Sequence, residues 1–390
     1  MAGLSVAVAT IGRHHSFDLA RELQDAGCLA AIYTGFPRWS VRDAGVAPAR
    51  IRSFPWIQTP KVALQRWRMM PPALERAMAW HALEYLDRHI ARSLVPCDVF
   101  TALSGTGLGA GAVAKAQGAA YVCDRGSAHV QWQDRTLREE FAMLDLPFAG
   151  VDPRMIDKET REYALADALT VPSSFARETF IELGVAADKI HRISYGVHLA
   201  KFHRRAPRDD GFRVLFVGVL SAAKGLQYLL QGFAGAALAN AKLVLVGPAA
   251  AETGTLLARF PVNRVERTGV LSQDAVAEQM SRASVLVLPS LHEGLALVMA
   301  QALACGLPVI ASRNTGAEDL FADGAEGFIV DVREPEAIAE RLTRLAGDRA
   351  LLDAMSEAAV RRVRELGGWA AYGRESVALF ETLAGANPPR

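Results

Sequence analysis

A single acidic side chain, Glu293, lies in a short turn between the apolar run Val285–Leu288 and a helix expected to begin near Ala296. The first amides of a helix have no acceptor within the helix, and together with the helix dipole they favour a phosphate or a carboxylate. Glu293 can satisfy those amides itself, which is the ordinary structural alternative. Gln301 lies about two helical turns further on, so it shares a side of the helix with Glu293. The pattern predicts an anion site at this turn.

A second turn, residues 218–225, follows another apolar strand and places Lys224 near the start of a helix. A cation there opposes the helix dipole, so structural needs alone seldom select it. We interpret Lys224 as a point charge held over a diphosphate, and the alternative is a solvated lysine. The spacing is not that of a Walker A loop.

Two further strand ends carry ionisable residues. Asp124, Arg125 and His129 follow one strand, and Gly12 and Arg13 follow the first strand of the chain. Arginine suits an anion and histidine suits a hydroxyl or a sugar, but spacing does not divide the roles among Asp124, Arg125 and His129. The adjacent pair of histidines at 14 and 15 is a poor metal site, because neighbouring side chains rarely point at one ion.

A glycine-rich turn at residues 104–111 offers a rival interpretation. Gly105, Gly107 and Ala110 satisfy a G-x-G-x-x-A pattern, and Asp124 follows about 20 residues later, as in dinucleotide-binding folds. The structural alternative is close packing of a helix against a strand.

The elements that position these turns form an α/β pattern. Apolar runs alternate with helical segments, which favours parallel sheets, and 390 residues predict two domains. In the first half we predict strands at residues 5–10, 30–33, 98–103, 119–123 and 168–171, with a helix at 18–26. In the second half we predict strands at residues 213–217, 242–246, 264–268, 285–288, 308–311 and 327–330.

The segment 203–212 is rich in charge, Pro and Gly and reads as a linker. We therefore predict two Rossmann-like domains, at 1–205 and 206–368, facing each other across a cleft. The carboxyl ends of their strands would line that cleft. A helix at about 369–390 is expected to stay with the second domain or to pack back on the first.

Composition restricts the function further. The net charge of +1 argues against a nucleic-acid binder, and no run of about 18 apolar residues is present. The four cysteines are scattered and the N-terminus does not resemble a signal peptide, so we expect a cytoplasmic protein without a zinc site.

Residues 36–80 mix arginines with Trp39, Trp56 and Trp67, which suits an anionic membrane face or a lipid-linked substrate; a mobile surface hairpin is the alternative.

Four segments together resemble the retaining GT-B glycosyltransferases of family 4, from about residue 162 to 345. They are residues 163–173, 193–202, 218–225 and 289–306. The last resembles the family's Glu-x7-Glu motif, with Gln301 at the second glutamate. His198 stands where an aspartate is usual, and Val219 replaces a usual arginine. Residues 1–150 resemble the family only in layout.

The resemblance implies a role for each corresponding position. Lys224 would bind the diphosphate, Glu293 the donor sugar, Gln301 the ribose, and His129 the sugar or acceptor. Arg13 or Arg125 would supply the charge missing at Val219. The implied donor-binding positions are Gly12, Arg13, Arg125, Gly218, Lys224, Gly269, Val270, Glu293, Gly294, Leu295, Ala296, Leu297 and Gln301, with the amides of 295–297 holding the phosphates.

The implied reaction is transfer from a UDP- or GDP-linked sugar to a glycan, lipid-linked or small-molecule hydroxyl, with retention and without a metal or other cofactor. The leaving phosphate would take the acceptor proton, so no strong base is required. Two alternatives stay open: a degenerate GT-B domain that binds a nucleotide sugar without catalysis, and an NAD(P)-dependent enzyme that uses the turn at 105.

Overall fold

The computed structural model describes residues 3–66 and 71–386. They form two α/β domains, each built on a parallel sheet with helices on both faces. This is the predicted architecture. Strands of this kind are buried on both faces, so each reads in the sequence as a short continuous apolar run.

The first sheet has seven strands in the order β3-β2-β1-β4-β5-β6-β7, all parallel. Its strands are β1 (Val6–Thr10), β2 (Leu29–Thr34), β3 (Ile51–Ser53), β4 (Val99–Leu103), β5 (Ala120–Asp124), β6 (Ala168–Val171) and β7 (Ile190–Arg192). In the pairing of β1 with β2, Val8 lies opposite Ile32. The strand order reverses beside β1, so the ends of β1, β4 and β5 border a crevice.

The second sheet has six parallel strands in the order β10-β9-β8-β11-β12-β13. They are β8 (Phe212–Val217), β9 (Ala241–Val246), β10 (Val265–Gly269), β11 (Val285–Leu288), β12 (Val309–Ser312) and β13 (Gly327–Val330). The corresponding switch point lies between β8 and β11, the two strands that carry the Lys224 and Glu293 turns.

Helices connect the strands and cover both sheets. They are α1 (Ser16–Asp25), α2 (Gln58–Arg66), α3 (Pro72–Ser93), α4 (Leu108–Ala116), α5 (Val130–Met143), α6 (Pro153–Leu165), α7 (Ser174–Glu182), α8 (Leu226–Gly235), α9 (Thr253–Arg259), α10 (Gln273–Arg282), α11 (Leu297–Ala304), α12 (Ala317–Leu320), α13 (Pro335–Gly347), α14 (Arg349–Glu365) and α15 (Gly368–Ala386).

Every predicted strand coincides with an observed one to within one residue at each end. The strands that the sequence did not predict are β3 and β7, the two edges of the first sheet. Each is only three residues long, and each contains an arginine. Short, charged edge strands lack the apolar run that marks a central strand.

The last helix, α15, packs against α1 of the first domain. Its Trp369, Tyr372 and Phe380 are buried in the same apolar cluster as Val6 and Leu23. Of the two expectations for this segment, the structure therefore shows the return to the first domain.

The two domains are in contact through buried polar groups. The carboxylate of Glu140 on α5 is fully buried and accepts hydrogen bonds from Gln227 Nε2 (2.6 Å), Tyr228 Oη (2.6 Å) and Arg333 Nε (2.8 Å) of the second domain. At a second contact, the amide of Ser174 donates to Asp319 (2.7 Å). These bonds link the two domains directly.

Within the described residues, no helix has the length and apolar character needed to cross a bilayer.

Candidate active site

The structure brings Lys224 and Glu293 together. Lys224 Nζ donates to Glu293 Oε1, and both side chains are partly exposed, at 29% and 16%. The contact depends on Gly225, which has φ +71° and caps α8; a Cβ there would lie 2.0 Å from the Pro289 carbonyl oxygen. Only glycine allows this close approach of the β8 turn to the end of β11. Without a ligand, the glutamate neutralises the lysine, and a diphosphate would compete for it.

The start of α11 lies beside this ion pair. The amide of Ala296, the residue before the helix, donates to the Thr315 carbonyl at 3.1 Å. It is therefore not free for a phosphate, contrary to the prediction that the amides of 295–297 act together. The amides of Leu295 and Leu297 make no hydrogen bond to other described residues, so two of the three predicted donors remain.

Gln301 lies on α11 with its side chain partly buried. Its backbone carbonyl accepts from Cys305, whereas its side-chain amide has no hydrogen-bond partner in the part of the chain that the structure describes. The amide is therefore available to a ligand hydroxyl.

The predicted positions Gly218, Gly269 and Val270 all lie at the carboxyl end of the second sheet: Gly218 follows β8, whereas Gly269 ends β10 and Val270 follows it, with β9 between these two strands. The amide of Gly218 donates to Val246, and the carbonyl of Gly269 accepts from Gly247, both at 2.9 Å. Val270 is 73% exposed, so this edge presents an apolar surface to the solvent. A flat ligand such as a nucleobase can pack on it.

The first domain touches the opposite side of the Glu293 turn. A Cβ on Gly294 would lie 2.1 Å from the carbonyl oxygen of Gly126, which follows β5. Ser173 Oγ, at the start of α7, donates to the Gly294 carbonyl. The two domains are therefore in direct contact at Gly294, next to Glu293.

The prediction that His129 contacts the sugar or the acceptor is wrong in this structure. His129 is 2% exposed, and its Nδ1 accepts from the Gln131 amide, which caps α5. Its ring packs edge-on against Tyr163 and Phe180. Burial, followed by the nearby Arg125, lowers its pKa to about 4. His129 follows a strand, as ligand-binding residues often do, but in the structure it caps the helix α5.

Arg125 is also unavailable to a diphosphate. Its guanidinium donates to Glu159 (2.6 Å), to the Ala128 carbonyl (3.1 Å) and to Gln133 (2.9 Å). Burial opposes its charged form, but the Glu159 carboxylate outweighs this and raises the pKa of Arg125. Arg125 therefore cannot supply the charge that Val219 lacks.

Arg13 is the remaining predicted cation. Its side chain is half exposed and pairs with Asp43 at 3.0 Å. An exposed ion pair of this kind is weak, so Arg13 can leave it for a ligand. The neighbouring Gly12 is buried, and its carbonyl accepts from Thr10 Oγ1.

The glycine-rich turn at 104–111 is filled by the protein's own carboxylates. Glu162 accepts from the amides of Gly105 (2.5 Å) and Gly107 (2.7 Å), and Asp87 accepts from Gly109 and Ala110. Burial raises the pKa of Glu162 to about 8. These are the amides that a dinucleotide phosphate would need. The structure therefore contradicts the NAD(P) alternative at this turn.

Two histidines that the sequence analysis did not assign lie near the cleft. His15 Nε2 is 2.6 Å from Asp124 Oδ2. His292 precedes Glu293 and packs edge-on near Trp132 of the first domain; burial lowers its pKa to about 4, and neither ring nitrogen has a partner among the described residues. The sequence signal for His15 was present, but the pair at 14 and 15 was considered only as a metal site.

The described residues of this basic segment, 36–66 and 71–80, do not form a hairpin. They contain short 3₁₀ turns, β3, α2 and the start of α3. Trp39 and Trp56 are 71% and 75% exposed. Trp67 and Arg68, which contributed to the membrane prediction, lie outside the described residues, as do Met69 and Met70.

Comparison with known sequences divides the chain at the same place as the two sheets. Residues 13–201 match the family described as Glycosyltransferase Family 4, and residues 200–362 match Glycosyl transferases group 1. An alpha-D-kanosaminyltransferase of Streptomyces kanamyceticus is 28% identical over 187 residues, 44% of this chain and 48% of that protein. An MMP alpha-(1->4)-mannosyltransferase of Mycolicibacterium hassiacum is 27% identical over 229 residues, 56% of this chain and 54% of that protein. The chain spans about half the length of these curated relatives.

Solved structures share the whole fold. Sucrose-phosphate synthase from Thermosynechococcus elongatus superposes with a TM-score of 0.73 at 19% identity, covering 98% of this chain and all of that chain. Anabaena HepE, in complex with UDP and glucose, gives a TM-score of 0.71 at 15% identity, covering 97% of this chain and all of that chain. At these identities, the likeness establishes the two-domain architecture.

Proposed function

Because this chain belongs to the GT-B glycosyltransferases of family 4, we propose that it transfers a sugar from a nucleoside-diphosphate sugar to a hydroxyl acceptor with retention. The observation that carries the proposal is the Lys224–Glu293 ion pair beside the start of α11. A cation, free helix amides and a carboxylate are what a diphosphate joined to a sugar requires from its site.

Donor binding would open the ion pair. Lys224 and the amides of Leu295 and Leu297 would hold the diphosphate, and Glu293, released from the lysine, would accept hydrogen bonds from the sugar. Gln301 would bond a ribose hydroxyl through its free side-chain amide. The base would pack on the exposed apolar edge at Val270.

The chemical step needs stabilisation of negative charge. As the bond between the anomeric carbon and the phosphate oxygen breaks, charge grows on the leaving diphosphate, and donors already fixed in a water-poor cleft stabilise it most. Lys224 and the α11 amides are such donors. We propose that the reaction proceeds without a resident metal or other cofactor, and that either UDP or GDP carries the sugar.

Ligand-dependent stability tests donor binding. A panel of UDP, GDP, ADP and their sugars is expected to contain one nucleotide that raises the unfolding free energy by about 2.7 kcal/mol at 100 times its Kd. Lys224→Ala should weaken that binding by about 10- to 100-fold, the value of a charge-assisted hydrogen bond. Lys242→Ala is the matched control, because that lysine pairs with Glu266 on the surface of the same domain. Equal affinities in both variants would refute the proposed site.

A second candidate function is nucleotide-sugar binding without catalysis. It is favoured by Val219, which offers no charge at the cleft, and by Gln301 in place of a second carboxylate. The test is whether the protein releases UDP or GDP from a nucleotide sugar. Release that is lost in Glu293→Ala and kept in Glu266→Ala would exclude binding without catalysis.

We further propose that the acceptor is a glycan or a lipid-linked molecule that the protein meets at the inner face of an anionic membrane. The supporting observation is the exposed pair Trp39 and Trp56 among arginines in residues 36–80. Amphipathic aromatics suit such an interface, and basic residues are attracted to its charge. Sedimentation with anionic vesicles at low salt, reduced in a Trp39→Ser/Trp56→Ser variant, tests this. Failure to sediment at low salt would refute it.

A further inference from the structure

The hydroxyl of Ser173 makes a contact between the two domains that the proposed donor site does not use. Ser173 is fully buried just before α7, where its Oγ accepts from the Ala176 amide at 3.1 Å and so caps the helix. The same Oγ donates its proton to the Gly294 carbonyl of the second domain. An aspartate would cap α7 as well, but an ionised aspartate has no proton to donate. Helix capping therefore does not account for the bond to Gly294.

The bond from Ser173 sets the direction of one peptide group. The peptide between Gly294 and Leu295 is trans, and a trans peptide is planar, with its C=O and N–H pointing in opposite directions. Because the carbonyl points to Ser173, the Leu295 N–H points away from it. A hydrogen bond to a carbonyl also polarises the peptide, which makes its N–H a stronger donor. Ser173 therefore orients and strengthens a donor that it does not touch.

The loop is held by amides on either side of this peptide. The Glu293 amide donates to the Asn314 carbonyl at 2.8 Å, and the Ala296 amide donates to the Thr315 carbonyl at 3.1 Å. The Leu295 amide lies between these two and makes no hydrogen bond to any other described residue. The loop is thus fixed while the Leu295 amide is left for a ligand.

The segment that holds this loop also holds the start of α7. The carboxylate of Asp319 is 5% exposed and accepts from the Ser174 amide at 2.7 Å and from the Ser174 hydroxyl at 2.8 Å. Arg192 donates to the same carboxylate at 2.9 Å. Since Ser174 follows Ser173 directly, these bonds fix the backbone that carries the Ser173 hydroxyl.

A glycine leaves the space that the contact needs. Gly316 has φ +77°, and a Cβ there would lie 2.9 Å from the Ser173 Cβ and 3.2 Å from the Gly294 oxygen. Any other residue would crowd the two groups and strain the backbone. Ser173 follows β6, so this contact is separate from the one that Gly126 makes with Gly294 from the end of β5.

We propose that Ser173 positions the Leu295 amide to bind the diphosphate of the donor. It acts through the Gly294–Leu295 peptide and does not touch the ligand, so it is a positioning residue. A phosphate-binding group of the second domain is then set by the first domain, and donor affinity depends on the contact between them. The inference rests on the proposed function.

Binding of a nucleotide, compared with binding of its nucleoside, tests Ser173 because only the nucleotide carries phosphate. The probes are UDP, GDP and ADP with uridine, guanosine and adenosine. Ser173→Gly removes the hydroxyl, and glycine is still an acceptable helix cap. This variant is expected to bind the nucleoside diphosphate about 3- to 10-fold more weakly, the value of one neutral hydrogen bond, and the nucleoside within about twofold of the unaltered protein.

Ser174→Ala is the matched control. It removes a hydrogen bond between the same two segments, from the Ser174 hydroxyl to Asp319, and leaves the Gly294 carbonyl untouched. Its affinity for the nucleoside diphosphate should stay within about twofold of the unaltered protein. The pair of variants therefore separates an effect on the Leu295 amide from a general loosening of the domains.

Nuclear magnetic resonance reports on this peptide directly. Glycine labelled with ¹³C at its carbonyl and leucine labelled with ¹⁵N select the amides of the five glycine–leucine pairs in the chain, and Leu295→Ile identifies the signal of Leu295 by its loss. In the unaltered protein, saturating nucleotide should move the Leu295 amide proton downfield, as a new hydrogen bond to phosphate does. The movement should be smaller in Ser173→Gly and unchanged in Ser174→Ala.

Three outcomes would overturn the role of Ser173. The first is equal nucleotide affinity in Ser173→Gly and Ser174→Ala, and the second is equal weakening of nucleotide and nucleoside binding in Ser173→Gly. The third is a Leu295 signal that nucleotide leaves unmoved in the unaltered protein, a result that needs no variant of Ser173. Absence of nucleotide binding in the unaltered protein would instead refute the proposed function.

Discussion

The close approach of Gly294 to Gly126 predicts a large effect from adding one methyl group. In Gly294→Ala, the new carbon would lie 2.1 Å from the Gly126 carbonyl oxygen, 2.5 Å from its carbonyl carbon and 2.9 Å from the Ser127 nitrogen. Ordinary contact begins at 3.4 Å, so the two loops must separate by about 1.3 Å. All three atoms belong to the backbone, so no change of rotamer relieves the contact.

The separation falls where the reacting groups are proposed to meet. Glu293 is on one of the two loops, so its position relative to the first domain shifts when the loops separate. A misplacement of about 1 Å costs about 10²-fold in rate when it alters the alignment of reacting groups. We therefore expect kcat for nucleotide-sugar hydrolysis to fall about 100-fold. The diphosphate contacts lie within the second domain, so nucleotide affinity should change less than threefold.

The assay is steady-state release of the nucleoside diphosphate, with nucleotide binding measured separately. Gly347→Ala is the matched control, because a Cβ there would meet nothing within 4 Å. If Gly294→Ala kept kcat within threefold of that control, then the closed contact seen here would not be the catalytic arrangement.

Three further predictions concern single side chains. Gln301→Glu should tighten nucleotide binding about fivefold, since a charged hydrogen bond to ribose exceeds a neutral one by about 1 kcal/mol; calorimetry that shows no gain would argue against ribose contact. The pKa of His129 is about 4 in the folded protein and about 6.5 in the unfolded chain, so the unfolded chain binds more protons between these pH values. The free energy of unfolding therefore falls by up to about 3 kcal/mol as the pH drops from 6.5 to 4. His129→Asn retains a helix cap but has no imidazole, so its free energy of urea unfolding should fall less between pH 7.5 and pH 4.5 than that of the unaltered protein. An equal fall in both proteins would contradict the burial of a neutral His129. Glu140→Gln should lower the free energy of urea unfolding by about 2 kcal/mol, because it leaves Arg333 and its neighbours poorly paired. Glu139→Gln, at the exposed neighbouring position, should leave this free energy unchanged. Equal free energies of unfolding in the two variants would mean that the buried ion pair contributes little to stability.

The sequence predicted the strands well because buried parallel strands are continuous apolar runs. The sequence also pointed to Glu293 and Lys224 as site residues. Each stands near the start of a helix, where packing gives no reason for a charge. Their meeting followed from the topology, because β8 and β11 are adjacent at the switch point.

What failed depended on contacts between distant segments. Arg125 and His129 follow a strand as ligand-binding residues do, and only the fold shows that Glu159 and the α5 amide occupy them. The glycines at 105 and 107 keep the pattern of a dinucleotide turn, but Glu162, some 55 residues away, fills it. The pairing of His15 with Asp124 spans 109 residues and could not be read from spacing.

The most direct test of the central claim is a crystal structure with the nucleotide sugar that the binding panel selects. We predict that the Lys224–Glu293 ion pair is open, with Lys224 Nζ and the amides of Leu295 and Leu297 within about 3 Å of the diphosphate and Glu293 bonded to the sugar. A nucleotide bound elsewhere, with the ion pair intact, would contradict the account.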